Sequence, residues 1–274
     1  MVEADPERLT AALVRRICDR HFGVGSDGIL LPTASSEGFG LRILNPDGSE
    51  AEKSGNGLRI FARHLRDTGR VGDGERFAVE TRGGTVQCQV RDAGRAVFVA
   101  MGRASFDSAR IPVAGPRRDV LDEPIEVGGE RLRFTGVTVG NPHCVIHVAE
   151  TSAGLARRLG PFLEMHPLFP NRTNVQFVQV LARDRIRIEI WERGAGYTLA
   201  SGSSSCAAAA ASARLGLCVA GDVTVEMPGG TLGIGVADDF ALTMVGPARK
   251  VADGVLAPEL LADADDGVLS LTQA

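Results

Sequence analysis

Two Ser-Gly pairs stand where a turn changes into a predicted helix, and both are placed to do chemistry. They are Ser54-Gly55 and Ser201-Gly202. The first N–H groups of a helix have no partner within it and lie at the positive end of its dipole, so they bind carboxylates well. Two facing helix starts would hold one carboxylate between them. One hydroxyl would then reach each face of the neighbouring carbon, as proton removal from one side and proton return from the other require.

A simpler interpretation is that Ser54 and Ser201 are ordinary helix N-caps. Serine is a preferred N-cap, and its side chain there stabilises a helix by about 1 kcal/mol. One Ser-Gly pair taken alone favours this interpretation. Whether the pairs do more depends on the elements around them and on the longer motifs that contain them.

The elements around the two pairs follow the same order in each half of the chain. Each half has strands, a Gly-rich turn and a helix that starts at Ser-Gly. Helices are predicted over residues 7–20, 55–69 and 203–215, and strands are predicted within residues 28–31, 41–44, 77–102, 131–147, 174–191, 223–226 and 240–245. This order predicts an α/β (α+β) fold with two similar domains that face each other.

The same pattern predicts where the domains divide. A Gly-Pro step within residues 114–117 is typical of a loop, and we interpret it as a crossing between domains. We expect an N-terminal α/β domain of residues 1–103, completed by residues 247–274. The C-terminal α/β domain is expected to cover residues 104–246.

Composition argues against several classes of function. The chain has 274 residues and a net charge of −4 with acids and bases well mixed, whereas nucleic-acid binding favours clustered Lys and Arg. No apolar run approaches the ~20 residues of a membrane span, and the N-terminus lacks the pattern of an export signal. The five cysteines are odd in number and widely spaced. We therefore expect a cytoplasmic protein with unpaired thiols and no metal, membrane or nucleic-acid partner.

Five motifs contain or flank the two Ser-Gly pairs. They cover residues 22–28, 45–57, 140–144, 171–175 and 191–202. In sequence and in order they resemble the motifs of the diaminopimelate epimerase family. The resemblance implies two pseudo-symmetric α/β domains with the active site in the cleft between them. It also implies inversion of an amino-acid α-carbon without pyridoxal phosphate, metal or other cofactor, and a homodimer, since relatives are often dimers.

The resemblance assigns roles to individual residues. Ser54 and Ser201 occupy the two acid/base positions. The N–H groups that would hold the reacting carboxylate belong to Gly55, Asn56, Gly202 and Ser203. The side chains that would hold the distal end of the substrate are those of Asn45, Asn141, Asn174, Glu192 and Arg193. An arginine fork suits a carboxylate and a glutamate suits an ammonium, which favours diaminopimelate, converted from its LL to its meso form in lysine biosynthesis, over a different amino acid.

The two serines depart from the family pattern, which has a cysteine at each position. A cysteine thiol has a pKa of about 8.5, whereas a serine hydroxyl is far less acidic and needs an activating group. Lys53 is adjacent only in sequence. Four explanations are open: a serine-using subfamily with different chemistry, an amino-acid-binding protein without catalysis, an inactive homologue, and an engineered pair of substitutions. An isomerase that uses Glu50 or Glu192 as its acid/base residue is a further alternative.

Tyr197 and the start of the chain also differ from the family pattern, and Cys206 has two interpretations. Tyr197 stands where an acidic residue is usual, and it would either reshape the distal pocket or pack against the fold. Cys206 lies on the same predicted helix as Ser201, either as a displaced thiol or as a small buried residue of an Ala-rich helix. The chain also opens directly at its first predicted helix, without the first strand of the family and the substrate-binding asparagine that follows it.

Overall fold

The computed structural model describes residues 1–3, 9–35 and 38–262. Within them the helices are α1 (Ala11–Cys18), α2 (Gly55–Asp67), α3 (Ala153–Glu164), α4 (Gly202–Arg214) and α5 (Pro258–Ala262). The strands before residue 104 are β1 (Ile29–Thr33), β2 (Phe39–Leu44), β3 (Glu50–Ala51), β4 (Arg76–Thr81), β5 (Gly84–Arg91) and β6 (Ala96–Arg103). Those after it are β7 (Glu123–Val127), β8 (Glu130–Thr138), β9 (Pro142–His147), β10 (Asn174–Ala182), β11 (Arg185–Glu192), β12 (Gly196–Thr198), β13 (Gly221–Met227), β14 (Gly230–Val236) and β15 (Ala241–Gly246).

One run of elements occurs twice along the chain. In each run an antiparallel hairpin is followed by a short strand that pairs back onto the second hairpin strand. A helix follows, and the next strand pairs in parallel with the second hairpin strand and begins an antiparallel sheet of three strands. The runs are β1-β2-β3-α2-β4-β5-β6 and β10-β11-β12-α4-β13-β14-β15. The predicted α/β fold with two similar halves is therefore confirmed.

The two halves are joined through their last strands. β6 pairs antiparallel with β15, where Val99 lies opposite Met244. The described strands thereby form one continuous order, β1-β2-β4-β5-β6-β15-β14-β13-β11-β10-β9-β8-β7. This junction brings α2 and α4 together, and residues of both helices share the largest hydrophobic cluster.

The helices α1, α3 and α4 pack in three different hydrophobic clusters. α1 packs on the outer face of β1 and β2, and α3 packs on the outer face of the second half, each with its own hydrophobic cluster. α4 lies inside the shared cluster and is buried around its whole circumference. A helix that is buried on every side needs residues without long polar side chains, and the alanines of residues 207–211 meet that need.

The ends of α2 and α4 follow local signals in the sequence. Ser54 and Ser201 are the N-caps. Gly69 (φ 71°) and Gly216 (φ 70°) follow the C-terminal ends of the helices and adopt the left-handed conformation that glycine favours. The predicted bounds of both helices are thus confirmed to within about two residues, the usual uncertainty of helix ends.

α1 is shorter than the predicted helix of residues 7–20. Its N-cap is Thr10, whose hydroxyl accepts a hydrogen bond from Leu13 N at 3.2 Å. At the other end the Asp19 carboxylate accepts hydrogen bonds from His21 N (2.8 Å) and Phe22 N (2.7 Å), and these bonds turn the chain out of the helix. Residues 7 and 8 lie outside the described residues.

The outer edge of β1 differs from the equivalent edge in the second half. There, β9 lies parallel to β10 and is followed, in the chain, by α3. Beside β1, Val2 N donates a hydrogen bond to Leu30 O at 2.9 Å. β6 ends at Arg103, but the division of the chain at that residue stays a prediction, and residues 263–274 of the predicted completing segment lie outside the described part of the chain.

Candidate active site

The first residues of α2 and α4 touch each other. A Cβ atom placed on Gly202 would lie 3.4 Å from Gly55 Cα, and one placed on Gly55 would lie 3.5 Å from Gly202 Cα. The Met244 side chain fills the space beside both glycines, 2.8 Å from the Gly55 position and 2.9 Å from the Gly202 position of such a Cβ atom. Only glycine allows this approach, so the two Ser-Gly pairs are brought together as they were in the sequence-based expectation.

Both serine side chains cap their helices in the same way. Ser54 Oγ accepts a hydrogen bond from Gly57 N at 3.1 Å, and Ser201 Oγ accepts one from Ser204 N at 3.5 Å. The two residues also share a backbone conformation, with φ and ψ of −140° and 119° at Ser54 and −148° and 127° at Ser201. Ser54 and Ser201 are therefore both helix N-caps, and their acid/base role stays a prediction. A helix N–H bound to each oxygen also stabilises negative charge on it.

Each of the two adjoining helix starts has N–H groups without an acceptor in the described part of the protein. In each helix the third N–H group after the cap donates to the serine hydroxyl, and the fourth donates to the serine carbonyl. The first two N–H groups are therefore left without these acceptors. Within the described residues, the N–H groups without a backbone or side-chain acceptor at these starts are those of Gly55, Asn56, Gly202 and Ser203. Free N–H groups at the positive end of a helix are suited to an anion, and the four at these two starts are the ones predicted to hold the reacting carboxylate.

The predicted distal residues of the second half lie at one edge of the sheet. Asn141 precedes β9, Asn174 begins β10 and Glu192 ends β11. β9 is parallel to β10, and β11 is antiparallel to it. The starts of β9 and β10 and the end of β11 therefore lie side by side at the same edge of the sheet. β12 returns along β11 and leads into Ser201, so the same edge carries the start of α4.

Asn174 binds protein groups on both sides. Its Nδ2 donates a hydrogen bond to Pro142 O at 2.8 Å, and its Oδ1 accepts one from Arg193 N at 3.0 Å. The exposed Arg193 side chain donates from Nη1 to Asn171 O at 3.1 Å. The segments predicted to contact substrate are thus tied to one another.

Asn45 occupies the corresponding place in the first half. It follows β2 directly, and its Nδ2 donates a hydrogen bond to Ser49 Oγ at 2.9 Å across the Asn-Pro-Asp-Gly turn. Its backbone N–H donates to Ser49 O at 2.8 Å. The turn therefore holds Asn45 at the edge from which the chain proceeds to Ser54.

His143 contacts a predicted site residue, although the sequence-based assignment did not include it from the motif of residues 140–144. Its Nε2 lies 2.9 Å from Asn141 Oδ1. Burial lowers the pKa of His143 to about 3, so the ring is neutral at pH 7. Because an amide oxygen only accepts, the ring donates through Nε2 and holds the Asn141 side chain in place.

Three groups considered as an activating or acid/base group in place of the two serines are bound elsewhere or buried in the core. Lys53 Nζ donates to Met101 O at 2.8 Å on β6, and burial lowers the pKa of this ammonium. Glu50 Oε2 accepts a hydrogen bond from Arg42 Nε at 3.1 Å. Cys206 is fully buried in the Ala-rich helix, and burial raises its pKa to about 12, so it is a protonated thiol of the core.

Tyr197 packs away from the helix starts. It lies opposite Trp191 in the β11–β12 pair, on the face of the sheet that α3 covers. Its hydroxyl donates to Glu189 Oε2 at 2.7 Å, and the Arg157 guanidinium lies 4.4 Å from the ring centre. Glu192 follows Trp191 and therefore points to the opposite face, so the packing interpretation of Tyr197 is the one the geometry supports.

The described residues contain neither a grouped set of metal ligands nor a membrane-spanning helix. No three His, Cys, Asp or Glu side chains of residues 1–3, 9–35 and 38–262 are grouped as a metal site would require. In the same part of the chain, no helix has the length and apolar character needed to cross a membrane. All five cysteines lie in it, and each is buried and unpaired.

Comparison with known proteins identifies the relatives of this chain. The family model described as diaminopimelate epimerase matches residues 2–106 and 135–251. Diaminopimelate epimerase 2 of Nostoc sp. is 54% identical over 256 residues, which are 93% of this chain and 89% of that protein. Diaminopimelate epimerase of Moorella thermoacetica is 46% identical over 247 residues, 88% of each chain.

Solved structures with little sequence similarity share the fold. A predicted epimerase from Pseudomonas aeruginosa superimposes with a TM-score of 0.66 at 19% identity, covering 90% of this chain and 88% of that one. A hydroxyproline epimerase from Agrobacterium vitis with bound trans-4-hydroxy-L-proline gives a TM-score of 0.63 at 19% identity, covering 89% and 78%. The matched residues of the family model include both Ser-Gly pairs and the strands that join the two halves. This chain belongs to the diaminopimelate epimerase family.

Proposed function

We propose that the protein epimerises diaminopimelate by two-base proton transfer at one α-carbon, with Ser54 and Ser201 as the two acid/base residues and without a cofactor. The observation that carries this proposal is the contact between the starts of α2 and α4, each capped by a serine. Two relatives at 54% and 46% identity are named diaminopimelate epimerases, which supports the choice of substrate.

The reacting carboxylate would accept hydrogen bonds from the four N–H groups at the helix starts. These donors stabilise the negative charge that spreads onto the carboxylate when the α-proton leaves. Ser54 Oγ would lie on one face of the α-carbon and Ser201 Oγ on the other. One oxygen, as its alkoxide, takes the α-proton, and the other hydroxyl gives its own proton to the opposite face, so the two serines exchange protonation states in each turnover.

The distal end of the substrate would lie along the sheet edge of the second half. Glu192 would pair with the distal ammonium and Arg193 with the distal carboxylate. Asn45, Asn141 and Asn174 would contribute amide groups around them. A substrate with a second amino-acid head group uses all of these residues, which favours diaminopimelate over an amino acid with an apolar side chain.

Exchange of the α-proton with heavy water tests the proposal. Incubation of LL-diaminopimelate with the protein in deuterium oxide should give deuterium at the α-carbon together with the meso isomer. Ser54→Ala and Ser201→Ala should each abolish epimerisation. Binding of LL-diaminopimelate without deuterium uptake would instead indicate a binding protein, and deuterium at another carbon would indicate an isomerase that uses a different acid/base residue.

Three properties of the protein in the cell stay predictions. They are its cytoplasmic location, its assembly as a homodimer and its lack of a nucleic-acid partner. The buried, unpaired state of all five cysteines supports the first of these, because reducing compartments keep thiols in this state.

A further inference from the structure

A buried carboxylate lies behind the turn that carries Glu192 and Arg193. Glu164, near the end of α3, is 8% exposed. Its Oε2 accepts a hydrogen bond from Trp191 Nε1 at 2.8 Å, and its Oε1 accepts one from Gly194 N at 3.0 Å. The residues it binds thus stand immediately before and after the predicted distal pair.

The same carboxylate reaches the other segment predicted to contact substrate. Arg172 Nη1 lies 3.7 Å from Glu164 Oε1, and the backbone carbonyl of Glu164, rather than its carboxylate, accepts a hydrogen bond from Thr173 N at 3.3 Å. Arg172 adopts a left-handed backbone conformation with φ 58°, which costs a non-glycine residue about 1–2 kcal/mol. Contacts with Glu164 therefore help to hold a segment whose backbone is unfavourable by itself.

The turn after β11 has a fixed acceptor for each of three successive N–H groups. Arg193 N donates to Asn174 Oδ1 at 3.0 Å, and Gly194 N donates to Glu164 Oε1. The third donor, Ala195 N, binds Glu192 O at 3.2 Å within the turn. Two of the three acceptors are side chains from outside the turn, so the direction in which Glu192 and Arg193 point depends on Glu164 and Asn174.

α3 places Glu164 through close contact with the sheet. A Cβ atom on Gly160 would lie 2.5 Å from Trp191 Cγ, so the absence of a side chain at Gly160 lets the helix approach the indole. That approach brings Glu164, one helical turn later, to the indole N–H. The buried carboxylate is therefore held by packing as well as by its donors.

We propose that Glu164 is a positioning residue that sets the orientation of Glu192 and Arg193 and thereby the selectivity for a substrate with a distal ammonium and carboxylate. This inference rests on the proposed function. Glu164 touches neither the helix starts nor the two serines in the contacts described above. Its removal should weaken recognition of the distal end and leave proton transfer at the α-carbon intact.

The test compares two substrates in the α-proton exchange assay with the full chain. The first is LL-diaminopimelate, and the second is 2-aminoheptanoate, which has the same chain length and lacks the distal ammonium and carboxylate. In Glu164→Gln the amide oxygen can accept from only one of the two donors, Trp191 Nε1 and Gly194 N. The amide NH2 group then faces the second donor. The KM for diaminopimelate should rise about 10- to 100-fold, as expected for loss of a charge-assisted hydrogen bond.

The exchange of 2-aminoheptanoate should stay within about threefold of the unaltered protein, since it makes no use of the distal pair. Tyr197→Phe is the matched control, because it removes a hydrogen bond to Glu189 at the same helix–sheet interface without touching the turn. It should leave the ratio of kcat/KM for the two substrates unchanged. Equal losses for both substrates in Glu164→Gln would show a merely structural role and overturn the inference.

A second variant covers the case in which Glu164→Gln does not fold. Trp191→Phe keeps an aromatic ring beside Gly160 and removes the donor to Glu164 Oε2, together with part of the indole packing. It should lower the ratio of kcat/KM for diaminopimelate to that for 2-aminoheptanoate by about 10-fold, the lower end of the effect of one hydrogen bond to a charged group. An unchanged ratio of kcat/KM for the two substrates would overturn the role of Glu164 and leave the proposed function unaffected. If the unaltered protein binds diaminopimelate but does not exchange its α-proton, the proposed catalysis is wrong, and the role of Glu164 is then tested by comparing Kd values in place of KM. If the protein does not bind diaminopimelate, both proposals are wrong.

Discussion

Arg59 Nη1 donates a hydrogen bond to Met244 Sδ at 3.2 Å, beside the two glycines at which the helix starts meet. The same guanidinium donates from Nη2 to Asn56 Oδ1 at 3.0 Å and from Nε to Pro247 O at 3.2 Å. Burial lowers the pKa of Arg59 to about 10, which leaves it charged at neutral pH. Arg59 therefore ties the start of α2 to β15, the strand through which the two halves pair.

Gly202→Ala should separate the two helix starts. The added methyl group would lie 2.9 Å from Met244 Sδ and 3.4 Å from Gly55 Cα, so one of these groups must move. We expect a loss of about 1–3 kcal/mol in the free energy of unfolding, typical of an overpacked core. The rate of α-proton exchange should fall about 100-fold, because the two hydroxyls no longer flank one carbon. Urea unfolding and the exchange assay measure the two effects.

The control for that variant is Gly154→Ala in the first turn of α3. A Cβ atom there would meet only Ser152 Oγ, at 3.8 Å. Alanine has the higher helix propensity, so this change should stabilise the protein by up to about 1 kcal/mol and leave exchange unaffected. If Gly202→Ala behaves like Gly154→Ala, the close approach of α2 and α4 is not required for activity.

Replacing both serines by cysteine should raise the rate of exchange. A helix start that binds each oxygen would also bind a thiolate, and a thiol loses its proton far more readily than a hydroxyl. We expect Ser54→Cys/Ser201→Cys to exchange the α-proton of LL-diaminopimelate about 100-fold faster than the unaltered protein at pH 8. Each single variant should reach an intermediate rate. A double variant no faster than the unaltered protein would mean that the acidity of these two groups does not limit the reaction.

Local signals explain why α2 and α4 were predicted and α3 was not. A serine before each helix and a glycine after it mark the first two. α3 contains Gly160 and Pro161, both of which disfavour a helix interior when judged from sequence alone. The helix forms because Gly160 admits Trp191 at close range, and that contact is a property of the folded chain. β7 and the glycine-rich β14 were likewise not predicted.

The same distinction applies to the candidate site. The serines and the asparagine, glutamate and arginine residues lie in contiguous motifs, and residue order indicated them. His143 lies in such a motif and could have been chosen from it. Glu164 lies outside the motifs and on the helix that was not predicted. Arg59 and Met244 meet across 185 residues of sequence, and the pairing of β6 with β15 brings them together.

Cys206→Ala should retain activity and thereby exclude Cys206 as a displaced acid/base thiol. The residue is fully buried, and its pKa is raised to about 12 by burial. Alanine matches its neighbours in α4, and the lost sulfur should cost about 1 kcal/mol of stability. The rate of exchange should stay within about twofold, because a buried thiol that keeps its proton is a poor acid/base group. A loss of activity with normal folding by circular dichroism would instead place this thiol in the reaction.

Stability should fall as the pH drops from 6.5 toward 4, because the buried His143 and the partly buried His147 are held neutral. Burial lowers the pKa of His147 to about 4, although the Asp122 charge partly opposes the shift. The pKa of His143 is lowered to about 3 by burial, and the Arg193 charge adds to the effect. Both folded values lie below the value of about 6.5 for an unfolded chain, so the unfolded chain binds protons first on acidification. Each ring then costs up to about 1.4 kcal/mol of stability per pH unit within that window, and nothing above it.

Urea unfolding at pH 7.5, 6.0 and 5.0 measures this dependence, and His147→Gln isolates one ring. The His147 ring lies 2.9 Å from Ser212 Oγ on α4, a contact that a glutamine amide can replace without titrating. The variant should be less stable at pH 7.5, since it changes packing beneath α4, and its loss of stability between pH 6.0 and 5.0 should be about half that of the unaltered protein. An equally steep loss in the variant would show that His147 binds its proton equally well in the folded and the unfolded chain. That outcome would contradict the lowered pKa of this ring, which lies on β9 and faces α4.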